Sequence, residues 1–230
     1  MDYLLHSILH ILVGLCIGYF FLSKDVESNR DQIFVLTISG IASIAPDITK
    51  FFGDLYGHSI WFVPVFGLLM ALVSRWFFKK IDWVKLWIVF SVVIFIGHLL
   101  IDFIGNGLAL YYPSTMKEFR FHIIRSVDYF ILTLLFITIT LSFFLRKKRL
   151  VIGMGLSILL IYLGLLSYSK VQLEQTLEKT YNDENIQLLI TYPSFDNRWA
   201  FQIRTDERSI FGYSALFSQD IEIYRETRNE

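Results

Sequence analysis

Cysteine is nearly absent from this 230-residue chain: Cys16 stands alone, inside an apolar run. A single thiol excludes an internal disulfide and any zinc site built from cysteines of one chain. Proline is scarce, at four residues, and charge of either sign makes up 18% of the chain, against roughly a quarter in ordinary globular domains. The 21 basic and 21 acidic residues cancel. No net positive field is left to attract a nucleic acid, so none is expected as a partner. No A-x-A-like site follows the first apolar segment, so a removable signal peptide is not expected.

What is abundant is apolar surface: 54% of residues are hydrophobic and 17% aromatic. Six apolar segments are long, or nearly long enough, to cross about 30 Å of hydrocarbon. They run from Tyr3 to Leu22, Ile33 to Ala45, Ile60 to Phe78, Val84 to Ile104, Val127 to Leu145 and Leu150 to Tyr168. The second is the shortest and ends in Pro46-Asp47. The fold class expected is an all-α polytopic membrane domain of about six transmembrane helices with a small C-terminal β-rich unit. The lipid bilayer is its first partner.

Lysine and arginine set the orientation. Lys24, Arg30, Arg75, Lys79, Lys80, Lys85 and the run Arg146-Lys147-Lys148-Arg149 fall on one side, ten in all. Lys50, Lys117, Arg120 and Arg125, four in all, fall on the other. The positive-inside bias puts the first side in the cytoplasm and both termini outside.

After Tyr168 the chain turns polar, with Leu173 and Leu177 at helical spacing, so the last helix is expected to continue out of the membrane. Short alternating runs follow at Ile186–Tyr192, Arg198–Thr205, Ser209–Leu216 and Ile221–Tyr224, punctuated by Pro193, Asn197, Asp206-Glu207 and Gly212. They predict a small antiparallel sheet. Residues 1–169 then form the membrane domain and residues 170–230 a helical extension with an extracytoplasmic β-rich unit.

Ionisable residues inside apolar spans are costly and point to function. His98 and Asp102 lie one helical turn apart at the end of the fourth segment, on nearly the same face. His6 and His10 repeat that spacing in the first segment. Asp47 closes the second segment, His58 opens the third, and His122 lies in a later outer loop. All five histidines fall toward one predicted side. Imidazole and carboxylate are the nitrogen and oxygen donors that Zn²⁺ and similar ions prefer. His10, Asp47, His58, His98 and Asp102 are therefore the expected ligands of a divalent metal, zinc by its donor set. One carboxylate, Asp47 or Asp102, is available as general base. His6 reads most simply as a polar tip at the headgroup level. Arg120, His122 and Arg125 are candidates for steering a phosphate or other anion. The same polar cluster also suits a lipid headgroup or a proton carrier without metal.

These residues resemble the pattern of the YdjM-like family of inner-membrane proteins, described as membrane-bound metal-dependent hydrolases. The likeness rests on His10-Ile11-Leu12-Val13-Gly14 with Gly18, on Pro46-Asp47, on His58-Ser59, and on His98-Leu99-Leu100-Ile101-Asp102 with Tyr112-Pro113, in that order over roughly residues 1–145. Thr49 stands where the family usually carries a second acid. Leu55-Tyr56-Gly57 stands where an arginine and a threonine usually precede the His-Ser pair. Both departures count against a second metal and against the usual anion contact. The resemblance implies metal-dependent hydrolysis at the extracytoplasmic face of a bacterial inner membrane. The layout is also similar to that of zinc-dependent phospholipase C, which implies a phosphoester or lipid-linked substrate. The competing expectation is a non-catalytic membrane regulator whose outer unit binds a partner.

Overall fold

Two rows of small residues bring two helices of the fold into close contact. The computed structural model describes residues 2–26, 28–53 and 56–228. On α1 (Asp2–Leu22) Gly14 and Gly18 are one turn apart, and on α2 (Asn29–Ile44) so are Ser39 and Ser43. A Cβ added at Gly14 would stand 2.5 Å from Ser43 Cβ and 2.8 Å from the Ser39 carbonyl oxygen. One added at Gly18 would overlap the Ser39 hydroxyl. Close backbone approach through small residues is how helices associate in lipid, where apolar burial drives little. The two serine hydroxyls bring no orphan donors into this contact, because they donate to the Val35 and Gly40 carbonyls within α2.

Helix α2 starts at Ser28, whose side chain caps the Asp31 amide. After Ile44 the chain tightens into a 3-10 segment, Ala45–Phe52, closed by Gly53 at φ 71°. Pro46 does not break the rod, because at the start of a helical segment its missing N–H is not needed. Asn29–Lys50 is thus continuous over 22 residues, longer than the short second span read from apolarity alone.

Helix α3 (Val63–Arg75) packs on α4 (Trp83–Ile94), with Gly67 close against Ser91. Past Ile94 the helix widens into a π turn, Phe95–Leu100, and resumes as α5 (Ile101–Ile104). Such π segments are frequent at functional sites. Helix α6 (Tyr129–Phe144) begins at Asp128, whose carboxylate caps the Ile131 amide, and α7 (Lys148–Thr180) runs for 33 residues.

Four stretches are long and apolar enough to cross a membrane: Tyr3–Asp25, Asn29–Lys50, Trp83–Ile104 and Lys148–Thr180. Ile60–Arg75 and Tyr129–Phe144 are shorter; sixteen residues of helix reach only about 24 Å. The third apolar segment loses length because Arg75 donates to the carbonyls of Lys79 and Ile81, turning the chain. The basic turns share one end of the first unit. Lys85 pairs with Asp25 at 2.7 Å, Lys148 reaches Gln32 at 3.0 Å, and Arg149 donates to the Phe20 carbonyl at 2.7 Å.

The chain divides into two compact units, one of Met1–Phe121 with Ser126–Leu159 and one of His122–Arg125 with Leu160–Glu230. In the second, β1 (Ile186–Pro193), β2 (Arg198–Thr205), β3 (Arg208–Ala215) and β4 (Glu222–Arg228) form an antiparallel meander in sequence order. Trp199, Phe201 and Ile203 alternate along β2 and are buried, as are Leu173 and Leu177 of α7. Ser169 accepts from the Trp199 indole and from the Phe217 amide, each at 2.9 Å. Arg208 bridges Glu184 and Glu226, and its guanidinium holds the Glu184 carboxyl below its ordinary range.

Candidate metal centre

Four helical segments of the first unit bring their unusual residues to one place. Helix α1 supplies His6 and His10 and the 3-10 segment after α2 supplies Asp47. The turn before α3 supplies His58, and the π turn with α5 supplies His98 and Asp102. The backbone contacts that allow this are small-residue contacts. Gly97 lies against Gly14 and Ser43, with an added Cβ at 3.4 Å from both. Gly57 passes so close to Pro46 that a Cβ would overlap its carbonyl. Thr49 fastens the same junction: its hydroxyl donates to the Pro46 carbonyl and accepts from the Gly57 amide, both at 3.1 Å. The residue standing in place of an acid thus ties the His58 loop to the segment that carries Asp47.

Asp102 is the hub. Its Oδ1 lies 2.9 Å from His6 Nε2 and 3.5 Å from His10 Nε2. Its Oδ2 lies 3.6 Å from both His58 Nε2 and His98 Nε2. Asp47 Oδ1 lies 3.3 Å from His58 Nε2 and 3.6 Å from His98 Nε2. The His58 and His98 Nε2 atoms are 3.0 Å apart, and those of His6 and His10 are 2.9 Å apart. The rings pack together, His10 stacked on His98 with centroids at 4.2 Å and His6 edge-on to His10 at 4.3 Å. His10, His58, His98 and Asp102 are buried; the Asp47 side chain keeps 26% exposure and that of His6 keeps 15%.

The tautomers of one pair follow from their partners. His10 Nδ1 faces the Gly97 carbonyl at 2.9 Å, and His6 Nδ1 faces the Ser126 carbonyl at 2.7 Å. A carbonyl only accepts, so both Nδ1 atoms carry hydrogen and, in neutral rings, both Nε2 atoms present lone pairs. Those lone pairs meet each other and a carboxylate oxygen. That is an arrangement of acceptors with a place for a cation, and a ring N–H held by a backbone carbonyl is the usual support of a metal-bound histidine. Asn106 adds to this side: its amide nitrogen lies 2.9 Å from His6 Nε2, and its oxygen accepts from the Ser126 hydroxyl. In the other pair, the Nδ1 atoms of His58 and His98 are buried without a hydrogen-bond partner among the described residues. The donors fit a divalent ion in number, type and spacing, in two groups: His6, His10 and Asp102, and Asp47, His58 and His98.

All five residues expected as ligands converge, and two more join them. His6 is no isolated polar tip; its i, i+4 spacing to His10 was the visible signal. Asn106 continues the four-residue ladder of His98 and Asp102, a signal that its position past the apolar run conceals. Of the residues expected to steer an anion, Arg120 pairs with Glu118 at 2.6 Å. Arg125 and His122 belong to the second unit, where Arg125 lies over the Phe195 ring at 3.5 Å.

Lys50 was not foreseen. It pairs with Asp47 Oδ1 at 2.9 Å, and its side chain is half exposed. Neither a curated protein nor a solved structure matches the chain. The family comparison does: the model described as YdjM inner membrane protein matches residues 5–173, and the chain belongs to that family of multi-pass inner membrane proteins.

Proposed function

We propose that this protein is a metal-dependent hydrolase of the extracytoplasmic membrane face, acting on a phosphoester carried by a lipid or another amphiphile. The observation that carries the proposal is the meeting of four imidazoles and two carboxylates, with two of the imidazoles locked as Nε2 donors by backbone carbonyls. Nitrogen and oxygen donors of this kind suit zinc. His10, Asp47, His58, His98 and Asp102 would hold it. A bound ion there would lower the pKa of water to about 7 and polarise a phosphoryl oxygen.

The chain's own groups supply the rest. Asp47 is the most open of the site's carboxylates, so it is the one placed to accept a proton from an attacking water, while both oxygens of Asp102 face histidines. Lys50, half exposed and paired with Asp47, brings an ammonium beside the site that suits an anionic group. Ile48 and Phe52, near Asp47 in sequence, and Trp61, near His58, are exposed and favour an apolar tail. Arg120 would add positive charge on the approach.

The orientation proposed puts the shared basic end in the cytoplasm, and the site with residues 170–230 outside. Ile60–Arg75 and Tyr129–Phe144 then complete six spans within a membrane domain of residues 1–169, their shortness taken up by local bilayer thinning.

The test is turnover of a short-chain phospholipid and of a soluble phosphomonoester by detergent-purified protein, with and without Zn²⁺. Activity that needs zinc and is lost in a folded His98→Ala variant is expected. A protein that binds no metal and turns over neither substrate would overturn the proposal. The rival reading is a regulator, favoured by exposed aromatics in the sheet unit such as Phe195 and Tyr224. It predicts that His98→Ala leaves the cellular phenotype intact while removal of residues 181–230 abolishes it.

A further inference from the structure

We infer that the centre takes two divalent ions rather than one, bridged by Asp102, with His6 completing a position that the sequence pattern leaves out; this rests on the metal-centre reading above. The donors number seven atoms: four histidine Nε2 atoms, Asp47 Oδ1 and both oxygens of Asp102. Zinc in proteins takes about four ligands, so one such ion would leave several of these groups buried and unmatched.

The geometry divides them. Ligands about 2.0–2.1 Å from an ion stand about 3.3 Å from one another around a tetrahedron. In the first group the separations among His6 Nε2, His10 Nε2 and Asp102 Oδ1 are 2.9, 2.9 and 3.5 Å. In the second, His58 Nε2, His98 Nε2, Asp47 Oδ1 and Asp102 Oδ2 are separated by 3.0 to 3.6 Å in every recorded pair. Each group alone has the size of one coordination sphere. Asp102 belongs to both, with a different oxygen in each.

The two groups also differ in kind. The second has four protein donors, the number of a closed zinc site. The first has three, with the Asn106 amide beside them, and so keeps a coordination position for water or substrate. It is also the group whose lone pairs are directed by the Gly97 and Ser126 carbonyls. Two-metal hydrolytic sites hold their ions about 3.5–4 Å apart and stabilise the attacking and the leaving oxygen together. A carboxylate giving one oxygen to each side suits that separation. Thr49 removes an acid from the Asp47 side, and His6 adds a donor on the other. The departure that counted against a second ion is answered from a different helix.

Metal content tests this directly. Full-length protein in mild detergent is loaded with Zn²⁺, freed of excess, and analysed for zinc per chain. The wild type is expected to hold about two ions and His6→Ala about one, the second group staying filled. One ion in both proteins would overturn the two-ion centre while leaving a metal centre standing; none in either would overturn the metal centre itself. Should His6→Ala fail to fold, Mn²⁺-loaded wild type decides. A spin-coupled pair spectrum supports the bridge, and a six-line spectrum of isolated ions overturns it.

Discussion

His6 Nε2 stands 2.9 Å from Asp102 Oδ1, across ninety-six residues of chain. The contact joins the start of α1 to the end of the rod built from α4, the π turn and α5. Neither group is tolerable alone at this depth: an unpaired carboxylate in an apolar span is costly, and so is a polar ring with no partner. With His10, His58 and His98 they gather into one polar cluster around a shared carboxylate, and the fold of the first unit and its polar centre become one problem.

Replacing Asp102 by Asn tests that centrality. The variant keeps the shape but removes the negative charge and turns one oxygen into an N–H₂ donor. Loss of supporting groups around a metal already weakens binding about 10- to 100-fold. Loss of a carboxylate shared by both groups of histidines is expected to weaken it by more than about 100-fold. Zinc affinity measured by competition with a chelating dye checks this, and near-wild-type affinity would remove Asp102 from the centre.

The sheet unit was legible because its determinants are local. Trp199, Phe201 and Ile203 recur at every second residue between Arg198 and Arg204, and Pro193, Asn197 and Asp206 mark the turns, so strands and turns emerge from period and chemistry alone. His98 and Asp102 were legible for the same reason, a helical repeat inside one segment. His6 was legible only in part: its spacing to His10 was visible, but the Ser126 carbonyl that orients its ring lies one hundred and twenty residues away. Span length was not legible either. Apolarity says nothing of Arg75 turning the chain after α3, of Asp128 starting α6 late, or of Pro46 continuing a helical path.

Gly14 carries a second prediction, because it serves both packing and site. A methyl at Gly14 meets Ser43 and the Ser39 carbonyl, and Gly14 also backs Gly97, whose carbonyl fixes His10 Nδ1. Gly14→Ala is expected to destabilise the first unit by about 1–3 kcal/mol, the usual range for overpacking, and to weaken zinc binding. Gly18→Ala, one turn further from His10, meets only the Ser39 side chain closely and is expected to lower stability without changing metal content. Thermal unfolding in detergent, with zinc analysis of both variants, separates the two effects. Equal metal loss in both would sink the link through Gly97.

Ser169 makes the corresponding point for the C-terminal unit. One hydroxyl on α7 accepts from the buried Trp199 indole of β2 and from the amide of Phe217, which follows β3. Phe217 adopts φ 61°, a left-handed conformation unfavourable for a bulky side chain, so something must hold it there. Ser169 is one group that does, beside the Ser218 amide that donates to the Ala215 carbonyl. In Ser169→Ala the indole N–H is left buried without its acceptor, at about 1–3 kcal/mol, and the turn at Phe217 loses its anchor. Trp199→Phe removes the donor while keeping a ring in the core, so it relieves the orphan and is expected to cost less than Ser169→Ala. Trp199→Ala opens a cavity and is expected to cost about 3–5 kcal/mol. Hydrogen exchange of the β2 and β3 amides ranks the three. If Ser169→Ala protected these amides as well as the wild type does, Ser169 would be a passive neighbour of the sheet and the strain at Phe217 would need another support.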